Sequence, residues 1–281
     1  KPLDAGKTGK TPLVGNLGLS PASNRKSRQT LVSSVNLNRS VMKRILVMLT
    51  GALLVLSSCS NFMGKRVRGN GKMATETRTA GSFTGVKVSG AIDLYVRTDS
   101  VTAVRVDGDE NLLKYVEVDL DGSMLRIRTK NGINLKPTRS IKVYVSAPEF
   151  TRLNASGACD IFTENKISSS GTLNVDLSGA SDAKLEVNAP AVNVEVSGAG
   201  SVTLKGETRD FSVDGSGSTD IKCYELLAEN TKVDISGAGN AEVFASVKLD
   251  VGVSGAADVK YKGNATVSQR VSGAGSVKKT D

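Results

Sequence analysis

The chain is 281 residues long, 39% hydrophobic and 23% charged, with a formal charge of +9 at pH 7. It contains no histidine and no tryptophan, which excludes His-based triads, His general bases and imidazole metal ligands. Nine Lys/Arg against one Asp fall in the first 58 residues. The remainder, with 28 basic and 27 acidic side chains, is close to neutral and offers no charge argument for nucleic-acid binding.

Residues 1–41 hold no methionine and no apolar periodicity, and they read as an upstream, mistranslated extension. Met42 opens a different pattern: Lys43-Arg44, an apolar run from Ile45 to Leu56, and then Leu56-Ser57-Ser58-Cys59. A basic start, a short apolar core and small residues before a cysteine describe a secretory signal peptide over 42–58. The run is shorter than the ~20 residues a spanning helix wants. Its ending resembles a bacterial lipobox, which makes Cys59 the expected site of lipid attachment. Ser60 after that cysteine fits outer-membrane sorting, and Ser60-Asn61-Phe62-Met63-Gly64 lacks an acidic export stretch, so the expected location is the cell envelope, on the periplasmic or the exposed face. Residues 59–75 read as a polar tether, whose basic run Lys65-Arg66-Val67-Arg68 suits an anionic membrane surface or plain solvation.

Residues 76–281 suit one all-β domain. Its first half is irregular: strand patterns at Ala103 to Val106, Met124 to Ile127 and Ile141 to Val145, a hairpin turn at Asp121-Gly122, and a single helical turn within Asp109 to Tyr115. The second half is periodic. Ser-Gly-Ala opens at Ser89, Ser156, Ser178, Ser197, Ser236, Ser254 and Ser272, with Ser216-Gly217-Ser218 as a degenerate copy. From Ser156 onward the copies stand 22, 19, 19, 20, 18 and 18 residues apart.

Aligned on the serine, the third residue before it is Val86, Leu153, Val175, Val194, Val213, Val233, Val251 or Gln269, and the residue just before it is mostly Val, Leu or Ile. Five residues after it come Leu94, Ile161, Ala183, Val202, Ile221, Ala241, Val259 and Val277. Apolar residues two apart on both sides of a glycine describe strand, tight corner, strand. Such a unit cannot close a core alone, and stacking buries each inward column against its neighbours. The expected fold is therefore all-β, a single-stranded β-helix (β-solenoid) with rungs of about 20 residues and a less regular N-terminal half. In this reading glycine makes the corner and the alanine after it sits inside the bend. Leucine-rich repeats, propeller blades and calcium nonapeptides fit the spacing or composition less well.

The series Phe83-Thr84-Gly85-Val86, Val88-Ser89-Gly90-Ala91-Ile92-Asp93, Gly108-Asp109-Glu110-Asn111-Leu112-Leu113 and Ala147-Pro148-Glu149-Phe150, followed by the Ser-Gly-Ala rungs, resembles the head GIN domain family of auto-transporter adhesins over nearly all of 76–278. The resemblance implies an envelope lipoprotein with a right-handed β-helix and supplies no catalytic motif or cofactor.

The sharpest candidate site is the column four residues after each serine: Asp93, Asp160, Asp182, Ser201, Asp220, Asn240, Asp258 and Ser276. Short oxygen-bearing side chains at a repeated corner tie backbone N–H groups in Asx-type turns. The functional alternative is a calcium ladder using Asp160, Asp182, Asp220 and Asp258. The structural reading is the stronger, because these residues recur with the corner. Cys159 and Cys223 fall in different columns three rungs apart, beyond disulfide reach, and are expected as buried free thiols.

Three function classes follow. The favoured one is a non-catalytic, lipid-anchored adhesin or binding module for a glycan or protein ligand, which the scarcity of stacking aromatics weakens. The second is an envelope structural or stress-sensing component that self-associates as a homo-oligomer. The third is a polysaccharide-active enzyme, supported by fold analogy alone. An exposed Tyr/Arg cluster favours adhesion, uncapped terminal rungs favour self-assembly, and a deep acidic groove favours the enzyme.

Overall fold

The computed structural model describes residues 64–281. The signal segment 42–58, the extension 1–41 and Cys59 lie outside the described residues. In chain order the strands are β1 (Lys65–Arg68), β2 (Met73–Arg78), β3 (Gly85–Gly90), β4 (Ile92–Thr98), β5 (Ala103–Asp109), β6 (Val116–Asp121), β7 (Met124–Thr129), β8 (Ile133–Lys136) and β9 (Ile141–Ala147). They continue as β10 (Arg152–Gly157), β11 (Asp160–Thr163), β12 (Ile167–Ser168), β13 (Thr172–Gly179), β14 (Asp182–Phe244), β15 (Lys248–Lys262), β16 (Thr266–Gly273) and β17 (Ser276–Lys279). No α-helix occurs among the described residues. One 3-10 turn spans Leu113–Tyr115, within the stretch expected to turn once.

The fold is all-β, one 15-stranded sheet that curls almost closed like a barrel, beside a small two-stranded sheet of β1 and β8. Successive Ser-Gly-Ala copies lie side by side in parallel. Ser156 pairs with Ser89 and with Ser178, Ser178 with Ser197, and Ser254 with Ser236 and Ser272. The long β14 runs continuously through the intervening copies, and within it Gly217 abuts Gly198 and Gly237 abuts Gly217. The strands after the corners stack in the same order, Leu94 on Ile161 and Ile161 on Ala183 at one end, Ala241 on Val259 and Val259 on Val277 at the other.

The 67-residue gap between Ser89 and Ser156 holds β5 to β9. There β7 pairs in parallel with β3, and β9 in parallel with β4, so together they add a surrogate layer beneath the first copy. Antiparallel β6, β5 and β2 continue that end, and the β6–β7 hairpin turns at Asp121-Gly122 as expected. Inward columns on both sides of the corners are buried from Val86 to Val253 and from Leu94 to Val259. Each fully buried Val, Leu or Ile contributes roughly 1.5–3 kcal/mol, and it does so only because a neighbouring copy covers it.

Two expectations change. The alanine after each corner glycine points outward, as Ala158, Ala180, Ala199, Ala238 and Ala256 show. The bend is filled by the next residue: Ile92, Cys159, Ser181, Thr219 and Ala257 are buried there. The alternation of inward and outward residues continues unbroken through the corner, from Val88 past Gly90 to Ile92 and Leu94, so the alanine falls on the outward parity and the residue after it on the inward one. The stretch 59–75, read as a tether, contains β1 and the start of β2, so ordered backbone begins before residue 76.

Candidate functional site

The aspartate column lies on the outward face of the strands that leave the corners. Asp160 pairs in register with Asp182. Asp182 Oδ1 accepts hydrogen bonds from the backbone N–H and the Oγ of Ser201, both at 2.8 Å. Asp258 Oδ1 accepts from Ser276 Oγ at 2.6 Å, and Asp220 pairs with Lys222 at 2.6 Å. Asp182 and Asp258 thus bind the next copy, where an Asx turn would bind its own corner, and Asp220 pairs within its own strand. Burial raises the Asp93 carboxyl above its usual range, repulsion from Asp160 adds to this, and Ser140 and Lys142 offset it in part. Among the described residues no group of three or more His, Cys, Asp or Glu side chains is placed to hold a metal ion.

Two residues further along the same strands stands a row that crosses four strands. Tyr144 of β9 pairs with Tyr95 of β4, and Tyr95 with Phe162 of β11. The rings stack, Tyr95 on Tyr144 at 4.8 Å and 19°, and Tyr95 on Phe162 at 5.1 Å and 26°. Arg105 of β5 caps the outer face of Tyr144 with its guanidinium 4.1 Å from the ring centroid, and the Lys142 ammonium sits 5.4 Å from the Tyr95 ring. Lys184 follows Phe162 in register at the other end. All three rings are half-buried and project outward, Tyr95 and Tyr144 between buried inward neighbours and Phe162 beside buried Ile161. Three of the chain's eleven Tyr and Phe side chains thus meet in one outward Tyr/Arg cluster. Aromatic pairs at this spacing add roughly 0.5–1.5 kcal/mol beyond burial, and the row is rigid for that reason.

The opposite side of the corners carries a groove. Its two contiguous parts, of about 420 and 430 Å³, share Asp214 and run along the serine column. One wall is the residue two before each serine: Lys87, Asn154, Asp176, Glu195, Asp214, Asp234, and, beyond Gly252, Arg270. Asp234 pairs with Lys232 at 2.7 Å, and Gly252 leaves room for its carboxylate. The carboxylates stand side by side on one wall, about a strand spacing apart. A glycosidase pair flanks the scissile bond from two sides, and this row does not. The acidic row was legible in the same serine alignment, two positions upstream, and was missed because only apolar columns were read there.

A family model described as "Putative auto-transporter adhesin, head GIN domain" matches residues 82–265. The chain belongs to the head GIN domain family. Similar solved structures include a "putative adhesin" of Bacteroides fragilis, TM-score 0.71 at 20% identity, covering 76% of this chain and 100% of that one. A "putative adhesin" of Parabacteroides distasonis gives TM-score 0.64 at 23% identity, covering 77% and 100%, and a "putative lipid binding protein" of the same species gives 0.60 at 22%, with 77% and 100% covered. No curated protein matches the chain. At these identities the structural likeness establishes the shared fold.

The segments that carried the family resemblance have structural work in this head GIN domain. Phe83 and Phe150 meet in the core at 6.4 Å. Leu112 and Leu113 are buried, and Asp109 is a fully buried carboxylate. Burial, the largest influence, pushes the Asp109 carboxyl up, but hydrogen bonds from the Thr138 backbone and side chain and from Gly71 together bring it below its usual range. Cys159 and Cys223 are buried free thiols, as expected, with burial raising both and pushing Cys223 up to about 12. Neither is placed to act as a thiolate nucleophile at neutral pH.

Proposed function

We propose that this head GIN domain is a non-catalytic adhesin or binding module of the cell envelope, anchored in the outer membrane by lipid on Cys59 and winding its copies as a right-handed β-helix. The single observation that carries the reading is the outward Arg105–Tyr144–Tyr95–Phe162 row. Tyr, Phe and Arg are the side chains enriched where proteins bind partners, and here packing holds them rigid before any ligand arrives. The adhesin descriptions of the family and of its structural relatives agree with this use. The lipobox-like Leu56-Ser57-Ser58-Cys59 and Ser60 support anchoring and outer-membrane sorting.

The test has two parts. Protease shaving of intact cells removes a surface-exposed protein and leaves a periplasmic one, so survival overturns adhesion to external ligands. A glycan and matrix-protein array then reports the ligand, and an array with no binder overturns the binding reading. Self-association is the second reading, favoured by the open C-terminal edge, where Val271 is 43% exposed. Against it, the last copy places Gln269 and Lys279 in columns that are apolar in earlier copies, as edge strands protected against pairing do.

A further inference from the structure

The buried carboxylate of Asp109 has no part in the binding row, and it ties the N-terminal segment to the backbone and side chain of Thr138. Asp109 Oδ1 accepts from the Gly71 N–H and from Thr138 Oγ1, and Oδ2 accepts from the Thr138 N–H, each at 2.8 Å. Gly69 lies so close that a Cβ there would overlap the carboxylate. Beside it, Asn111 Nδ2 donates to the Arg68 carbonyl at 2.8 Å, and its Oδ1 accepts from the Asn70 N–H at 3.0 Å. Upstream, β1 pairs with β8 and with no other strand, closed at its ends by Lys65 N–H to Gly132 O at 2.7 Å and Gly69 N–H to Lys136 O at 2.9 Å.

Residues 64–72 contribute no side chain to the buried apolar core, and Lys65, Arg66 and Arg68 are exposed. Apart from half-buried Val67 beside Leu135, polar contacts hold this segment, whereas β2, from Met73, is built into the main sheet. A segment so held opens locally at a free energy below that of global unfolding.

We propose that residues 64–72 form a releasable strap, latched by Asp109 and Asn111, that sets how far the domain stands from its anchor. The proposal rests on the anchoring at Cys59 given above. With the strap latched, five residue steps separate Cys59 from Gly64, a reach of about 17 Å; with it released, fourteen steps separate Cys59 from Met73, a reach of about 48 Å. Tension on a bound ligand therefore peels β1 from β8 before it loads the core, and the domain gains reach without unfolding.

The test compares hydrogen exchange and limited trypsin digestion of the full chain with Asp109→Asn and, because a buried substitution can impair folding, with Asn111→Ala. The expected result is cleavage after Lys65, Arg66 and Arg68 that is faster in the variants, by about ten-fold for Asp109→Asn, as loss of a charge-assisted hydrogen bond implies. Exchange in β13 and the melting transition stay unchanged. Strap amides that exchange only with those of β13, or cleavage rates the same in all three proteins, overturn the latch. Mass analysis of the N-terminal peptide reads acylation separately: an unacylated Cys59 overturns the tether role even where the strap opens, and an acylated Cys59 with a strap that never opens overturns the latch alone.

Discussion

Ser201 directs both its backbone N–H and its hydroxyl to one oxygen, Oδ1 of Asp182, from the neighbouring copy of the repeat. Here the aspartate ties one copy to the next, as Asp258 does through Ser276. Asp182→Ala should destabilise the domain by about 1–3 kcal/mol, since the Ser201 donors lose a charged acceptor. Ser201→Ala keeps the backbone bond and should cost less. Denaturant melts of the two variants check the order. The same account expects identical melts in chelator and in millimolar calcium, and a calcium-dependent rise would restore the cation ladder.

Gly217 has φ +101°, and a Cβ on it would overlap the carbonyl oxygen of Gly198 in the copy before. Neither the backbone conformation nor the neighbour tolerates a side chain, so Gly217→Ala should cost at least about 2 kcal/mol. Gly171 has open space where a Cβ would stand, and Gly171→Ala should be nearly neutral. Equal melting of these two variants would contradict the glycine stack.

The pH response of the strap follows from Asp109. Its folded-state value lies below the ordinary 3.8. Its contribution is therefore fully present above the unfolded value and is lost as pH falls through the folded one. Exchange at the Gly71 and Thr138 amides, corrected for intrinsic rates, should hold steady from neutral pH down to about 4 and loosen only below it. Loosening near pH 6 would contradict this assignment.

The C-terminal edge makes a separate prediction. Gln269→Val with Lys279→Val restores the apolar columns on the last copy and should convert that edge into a pairing surface. Analytical ultracentrifugation should show the double variant associating at concentrations where the parent chain does not. Unchanged mass would mean that the edge is protected by something other than these two side chains.

Much of the fold was legible because one tripeptide repeats with fixed inward neighbours, so Val86 to Val251 and Leu94 to Val259 could be placed inside from spacing alone. The outward Ala158 was misplaced because a small residue after the glycine reads as filling the bend, although Leu153, Ala155, Cys159 and Ile161 share one parity across Gly157. Half of the binding row was also within reach. Tyr95 and Phe162 share one column of the alignment, six residues after the serine, whereas Tyr144 and Arg105 arrive from strands inserted in the irregular half, with no motif to register them. The strap was hidden for a similar reason. Lys65-Arg66-Val67-Arg68 reads as solvated linker until β8 and Asp109 are brought beside it, some 40 to 70 residues on.

The most direct test is equilibrium binding of the chain to the ligand selected on the array, measured for the parent, for Tyr95→Thr/Phe162→Thr, and for Asp176→Asn/Glu195→Gln in the groove. Threonine keeps the strand propensity while removing the rings. The account predicts a Kd weakened by at least about ten-fold in the row variant and unchanged in the groove variant. Full affinity in the row variant, or a loss confined to the groove variant, would contradict it.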